Sequence, residues 1–125
     1  MPDPEAEARK TAEQFVEGFN TRNPQMVRDA MHFPQVRFAG GRVFVVETVE
    51  AWQTPFERME QAEGWHHSTL DSMQAFHVTE DKVHPGVVFT RCHADGTSYA
   101  THNSLWIIIR KDGRWGIQGR SSYAP

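Results

Sequence analysis

The sequence predicts an α+β domain in which helices come first and an antiparallel sheet follows. Three observations carry this. Helical spacing of apolar residues is confined to the first half, alternating segments fill the second, and glycine-bearing pairs separate those segments at hairpin distance.

From Pro4 to Asn20, Ala8, Ala12, Phe15, Val16 and Phe19 form one stripe, with Glu5, Glu7, Arg9, Lys10 and Glu13 mostly off it. "FNTRNP" breaks this helix. Asn23 then offers an N-cap and Pro24 a first position for a short second helix through Met26, Val27 and Met31. Pro34 bars helical continuation, because proline restrains the residue before it. Two short strands, "QVRFA" and "RVFVV", follow, joined through Gly40-Gly41. Thr48 is the expected cap of a third helix carrying Val49, Trp52, Phe56 and Met59, with a late start or a kink at Pro55. The remainder reads as four strands, "WHHSTLDSMQAFHVT", "KVHPGVVFTRCHA", "SYATHNSLWIIIRK" and "RWGIQGRSSY", with Asp95-Gly96 and Asp112-Gly113 as tight turns.

The chain has 125 residues, which predicts a single domain over 1–125, and at 38% hydrophobic it can build a core. Thirteen basic against sixteen acidic residues, with no basic cluster, argue against a nucleic-acid surface. No apolar run approaches the ~20 residues of a membrane span, and no leader is expected. Cys92 is the only cysteine and cannot form an internal disulfide, so the expected compartment is the cytoplasm.

This element order resembles the nuclear transport factor 2-like superfamily, the cystatin-like cone fold of SnoaL-like cyclases, ketosteroid isomerases and scytalone dehydratases. The closing "IIIRKDGRWGIQGRSS" is similar to that of SnoaL-like proteins and of the calcium/calmodulin-dependent kinase association domain. The resemblance implies a cone-shaped, curved antiparallel sheet wrapped around three N-terminal helices. It does not fix a function, since such folds serve isomerases, dehydratases, cyclases and non-catalytic assembly modules.

Counting outward from Asp112-Gly113 opposes Lys111 to Arg114, Ile109 to Gly116 and Leu105 to Arg120. Alternation then places His102, Ser104, Trp106, Ile108, Trp115, Ile117 and Ser121 on one face, with Thr101, Asn103, Leu105, Ile107, Ile109, Gln118, Arg120 and Ser122 on the other. Both faces are apolar near the turn. The resemblance turns the second set into the cone and leaves Trp106, Ile108, Trp115 and Ile117 as a homodimer face. Across Asp95-Gly96, Thr90 opposes Thr101 and Phe89 opposes His102, which sends Thr90 and Cys92 inward and Arg91 and His93 outward.

Arg120 is then the expected pocket residue, its fork of donors suited to a carboxylate, phosphate or enolate oxygen. Asn103, Gln118 and Thr101 would add neutral hydrogen bonds. Phe38, with Phe33 and Phe44, would line or back an apolar wall, and His32 would hang over its mouth. His66 in "GWHHSTL" resembles a cavity-lining histidine of the kinase association domain, and an imidazole can act as acid or base near neutral pH. The carboxylates of the catalytic relatives are missing at the corresponding places, where this chain has "RFAGG", Leu105 and "IQGRSS". No metal is expected: His93 and His102 share a face but lie ~13 Å apart along the strands, too far for one ion. No cofactor is expected either. The expected ligand is a small, largely apolar molecule bearing an anionic or carbonyl group, bound for isomerase-, dehydratase- or cyclase-like proton transfer. The alternative is a non-catalytic dimerisation or ligand-sensing module.

Overall fold

A computed structural model of the chain describes residues 3–123. Helices α1 (Pro4–Asn20) and α2 (Pro24–Asp29) precede strands β1 (Met31–Ala39) and β2 (Arg42–Val46). A 3-10 turn at Val49–Ala51 and helix α3 (Phe56–Glu63) come next, then β3 (His67–Val78), β4 (Lys82–Cys92), β5 (Ser98–Lys111) and β6 (Arg114–Ser122). These strands form one sheet in the order β2-β1-β6-β5-β4-β3.

Local signals set the helix ends. The Asp3 carboxylate accepts from the Glu5 N–H at 3.0 Å, and the Asn23 side chain accepts from the Met26 N–H at 3.1 Å. Thr48 caps only the 3-10 turn, and α3 starts directly after Pro55 and stops at Gly64, whose φ of 68° a side chain would resist. Met31, expected on α2, is instead the first residue of β1 and pairs with Ile117, where the Ile117 N–H donates to the Ala30 carbonyl at 2.8 Å. A two-turn helix offers little cooperative resistance to that pull into the sheet.

One strand pair departs from the expected all-antiparallel sheet: β1 runs parallel to β6. The chain leaves the first hairpin, crosses through α3 and the meander, and returns to the same edge in the same direction.

The register explains which face is buried. Lys111 opposes Arg114 and Ile109 opposes Gly116, as counted from the turn. Ile108 then opposes Ile117 but Ile107 opposes Gly119, so Gln118 is an extra residue, a bulge. Beyond it every β6 side chain changes face, and Arg120 opposes Trp106 rather than Leu105. Gly119 fits this break, since a Cβ there would sit 3.1 Å from the Val36 carbonyl oxygen.

Helix α1 lays Ala8, Ala12 and Phe15 on the Trp106 face, with the Phe15 and Trp106 rings edge-to-face at 5.5 Å. Trp106, Ile108 and Ile117 are 2%, 0% and 0% exposed, and Trp115 packs against the same cluster. The expected homodimer through this row is therefore corrected: the row is the core of the chain itself. The amphipathic stripe of α1 needs an apolar partner, and the resemblance had assigned that partner to the wrong face.

Candidate anion site on the concave face

The concave face, the one that α1 covers, changes character along its length. At one end Val83, Val87, Trp106, Ile108 and Ile117 are buried and apolar. Toward the other, the same rows continue as Phe89 and Arg91 on β4, His102 on β5, Arg120 on β6 and Arg37 on β1. Parallel pairing sets Arg37 beside Arg120.

Arg120 holds the centre. Its guanidinium lies 4.7 Å from the centroid of the Phe15 ring, a cation–π contact. Its Nε is shut off from solvent with no hydrogen-bond partner among the described residues. Burial first, then the nearby charges of Arg37 and Arg91, push its pKa down to about 9, so it remains a cation at neutral pH. Such a charge is costly in an apolar setting unless a counter-charge meets it.

Arg91 is buried and already held. Its Nη1 donates to both oxygens of Glu63 at 2.9 and 3.1 Å, and Glu63 also accepts from the Tyr99 hydroxyl at 2.7 Å. That pairing ties the end of α3 to β4 and β5. Burial, followed by hydrogen bonding to Glu63, raises the Tyr99 pKa and keeps the phenol protonated. Arg37 is lowered mainly by burial, then by Arg91 and Arg58, and it lies over the Phe44 ring at 5.8 Å. Three guanidinium groups thus act on one another through this end of the cone, and Glu63 is bonded to that of Arg91.

His102 lies on the same face, half-buried, its ring 5.4 Å from that of Phe89. Burial, then Arg91, lowers its pKa below 6.5, so it is neutral at pH 7.

The other expected site residues are dispersed. Thr101, Asn103 and Gln118 lie on the outer face. Thr101 shares a hydrogen bond with Thr90 at 2.9 Å, and Gln118 Nε2 donates to the Pro34 carbonyl at 2.6 Å. Phe38 is outer as well, lining a cavity of about 290 Å³ with Val36, Leu105, Ile107 and the β6 stretch from Gln118 to Ser121, Arg120 included. His32 is not at a mouth but buried at the far end of the sheet. Its Nε2 donates to the carbonyls of Ile109 and Arg114 at 2.9 and 3.0 Å, and its Nδ1 accepts from the Arg114 guanidinium at 3.1 Å. Burial and then Arg114 lower its pKa. His66 is exposed just before β3, its Nδ1 2.9 Å from Nδ1 of His67. The imidazole on the concave face is His102, not His66. Arg91 and His102 were missed because the face assignment was inverted; Arg120 reaches the cone only through the bulge. Gly119 was the available sign of that bulge.

Neither a protein-family model nor a curated protein matches the sequence. Solved structures do. A protein of unknown function with a cystatin-like fold from Nostoc punctiforme superposes with a TM-score of 0.78 at 10% identity, over 94% of this chain and 88% of that one. A nuclear transport factor 2-like protein of unknown function from Pseudomonas putida gives 0.73 at 14% identity, over 98% and 89%. A hexachlorocyclohexane dehydrochlorinase gives 0.64 at 12% identity, over 94% and 82%. With helices on the concave side of a curved six-stranded sheet, the chain has the cystatin-like fold of the nuclear transport factor 2-like proteins.

Proposed function

We propose that the chain binds a small, largely apolar molecule by an anionic or carbonyl group, on the concave face at Arg120. The observation that carries this reading is the buried Nε of Arg120, which has no hydrogen-bond partner among the described residues, on a guanidinium that lies against the Phe15 ring and feels the charges of Arg37 and Arg91. Arg91 and Glu63 frame the site, and Phe89 and His102, their rings tilted 47° to one another, offer the ligand a partly apolar wall. The proposed compartment is the cytoplasm, in keeping with the single Cys92; among the described residues no helix is long and apolar enough to cross a membrane.

Titration calorimetry with phenylacetate and phenylacetamide tests the reading. The acid binds the wild type and loses on the order of 2–5 kcal/mol in Arg120→Met, the scale for removing one partner of a buried charge pair. The amide loses far less. Equal affinities for both probes in both proteins would refute the assignment.

A second reading concerns self-association, and a specific observation favours it. The outer face exposes Phe38, Leu105 and Phe76, with the apolar cavity between Val36 and Ile107 beside them. A homodimer through this face would cover them. Sedimentation of Phe38→Asp against the wild type checks it: the dimer dissociates in the variant, whereas a monomeric wild type at micromolar concentration rules the dimer out.

A further inference from the structure

Independently of the reading at Arg120, we propose that His77 and His84 form a two-imidazole site for a borderline divalent cation of the zinc type, on the outer face of the β3–β4 hairpin. The two residues oppose one another directly across the strands, with ring centres 5.7 Å apart and ring planes at 86°. A bulge sets this up. Ala75 opposes Pro85 and His77 opposes His84, so Phe76 is an extra residue on β3. Strict alternation from Ala75 would oppose His77 to Val83, whose side chain is buried in the core. The extra residue instead brings His77 out beside His84. Phe76 itself lies over Gly86, where a Cβ would stand 2.6 Å from its ring. Unlike His93 and His102, which are offset along their strands, these two histidines are placed to share an ion.

Among the described residues neither ring has a hydrogen bond, and Nε2 of His84 is shut off from solvent without a partner. A polar atom kept from water calls for something to meet it. The other histidine pair differs, since Nδ1 of His66 and Nδ1 of His67 already meet at 2.9 Å; His32 and His93 are held by backbone carbonyls. Burial first, then Lys82 and His77, lower the His84 pKa, so its ring is neutral at pH 7, the form that binds a metal. Two imidazoles on one ion at ~2.0–2.1 Å per bond place their ring centres roughly 4.5–6.5 Å apart, which brackets the observed 5.7 Å. Imidazole suits zinc, copper and nickel, whereas magnesium and calcium prefer oxygen. Among the described residues no third His, Cys, Asp or Glu joins the pair, and Glu80 and Asp81 of the connecting turn hold Arg110 instead. Water fills the remaining positions, and Lys82 works against a cation here. The affinity is therefore micromolar rather than that of a closed four-ligand site.

Titration calorimetry of the full chain with zinc chloride, and with magnesium chloride as the control, tests the site. The wild type takes up one zinc per chain and no magnesium. His77→Gln and His84→Gln each weaken zinc binding at least ~tenfold, the lower end for losing even an outer-shell partner. His66→Gln binds zinc as the wild type does. Proton NMR adds a second readout: zinc shifts the ring signals of His77 and His84 and leaves those of His66 and His67 in place. His77 is exposed, so His77→Gln keeps the fold and carries the test even where His84→Gln does not. Zinc binding unchanged in His77→Gln, or no uptake by the wild type at millimolar zinc, overturns the site. A ratio of one zinc to two chains overturns it as well, since the ion would then belong between copies rather than to one hairpin.

Discussion

On the concave face Trp106 and Ile108 are at most 2% exposed, whereas Leu105 on the same strand and Phe38 on β1, both outer, are 41% and 46% exposed. The two surfaces are built from similar side chains, and near the Asp112-Gly113 turn each reads as apolar. Their difference lies in what covers them. Helix α1 has a single apolar stripe and can serve only one side of the sheet, and it serves the side on which Phe15 meets Trp106. The concave face becomes a dry core at one end and a cationic surface at the other. The outer face keeps its apolar residues wet. Hydrophobic patterning therefore identifies a sheet that wants two partners, but not which partner belongs to the chain itself.

Truncating one residue from each face should separate them most sharply. Trp106→Ala should cost about 3–5 kcal/mol, the range for removing a large aromatic from a packed core, because neighbours refill such a space only in part. Leu105→Ala should cost well under that, about 1 kcal/mol or less, since its side chain is already partly in water. Denaturant unfolding of both variants checks the contrast, and comparable losses would mean that the outer face is as well packed as the core.

A smaller effect is expected where a side chain crowds a strand glycine. A Cβ on Gly116 would stand 2.8 Å from Cδ2 of His32, whose ring is fixed by three hydrogen bonds and cannot retreat cheaply. Gly116→Ala should lower stability by about 1–3 kcal/mol, the cost of overpacking. Gly41→Ala, with open space around it, should leave the melting temperature within a degree or two.

The gentlest probe is pH. The folded-state pKa of His32 lies below 6.5 because burial, then Arg114, disfavours the imidazolium. A depressed histidine contributes stability that is complete above pH 6.5 and is lost as pH falls below it, since the unfolded chain then binds the proton more readily. His102 and His84 shift in the same direction, so their contributions add. The unfolding free energy should thus decline between pH 7 and pH 5, and less steeply in His102→Gln than in the wild type. An identical slope in the two proteins would mean that His102 titrates normally.

Most of the local architecture was legible in the chain. The span of α1, the cap Asn23, the late start of α3 at Pro55 and the two tight turns follow from short-range chemistry, which involves residues a few positions apart, whereas Thr48 caps a separate 3-10 turn and not α3. The Phe89–His102 and Thr90–Thr101 pairings also followed from counting outward from a turn. The candidate site was legible only in Arg120, and for a reason that the bulge replaced. Thr101, Asn103 and Gln118 were turned inward by the family resemblance, which chose the wrong face, and strict alternation had grouped Arg120 with them because it holds only while neither strand gains a residue.

What the sequence alone determined is the set of elements, their order and the β5–β6 register beside the Asp112-Gly113 turn, because each depends on neighbours along the chain. Tertiary structure decided which face α1 covers, where β6 slips by one residue at Gln118, and that β1 returns parallel to β6. Those outcomes depend on contacts between segments tens of residues apart, where packing volume and the single stripe of α1 select among patterns that are locally equivalent. The cationic end of the cone is a product of that selection. Arg37, Arg91, His102 and Arg120 come from four different strands, and no spacing within any one of them announces that they share a wall.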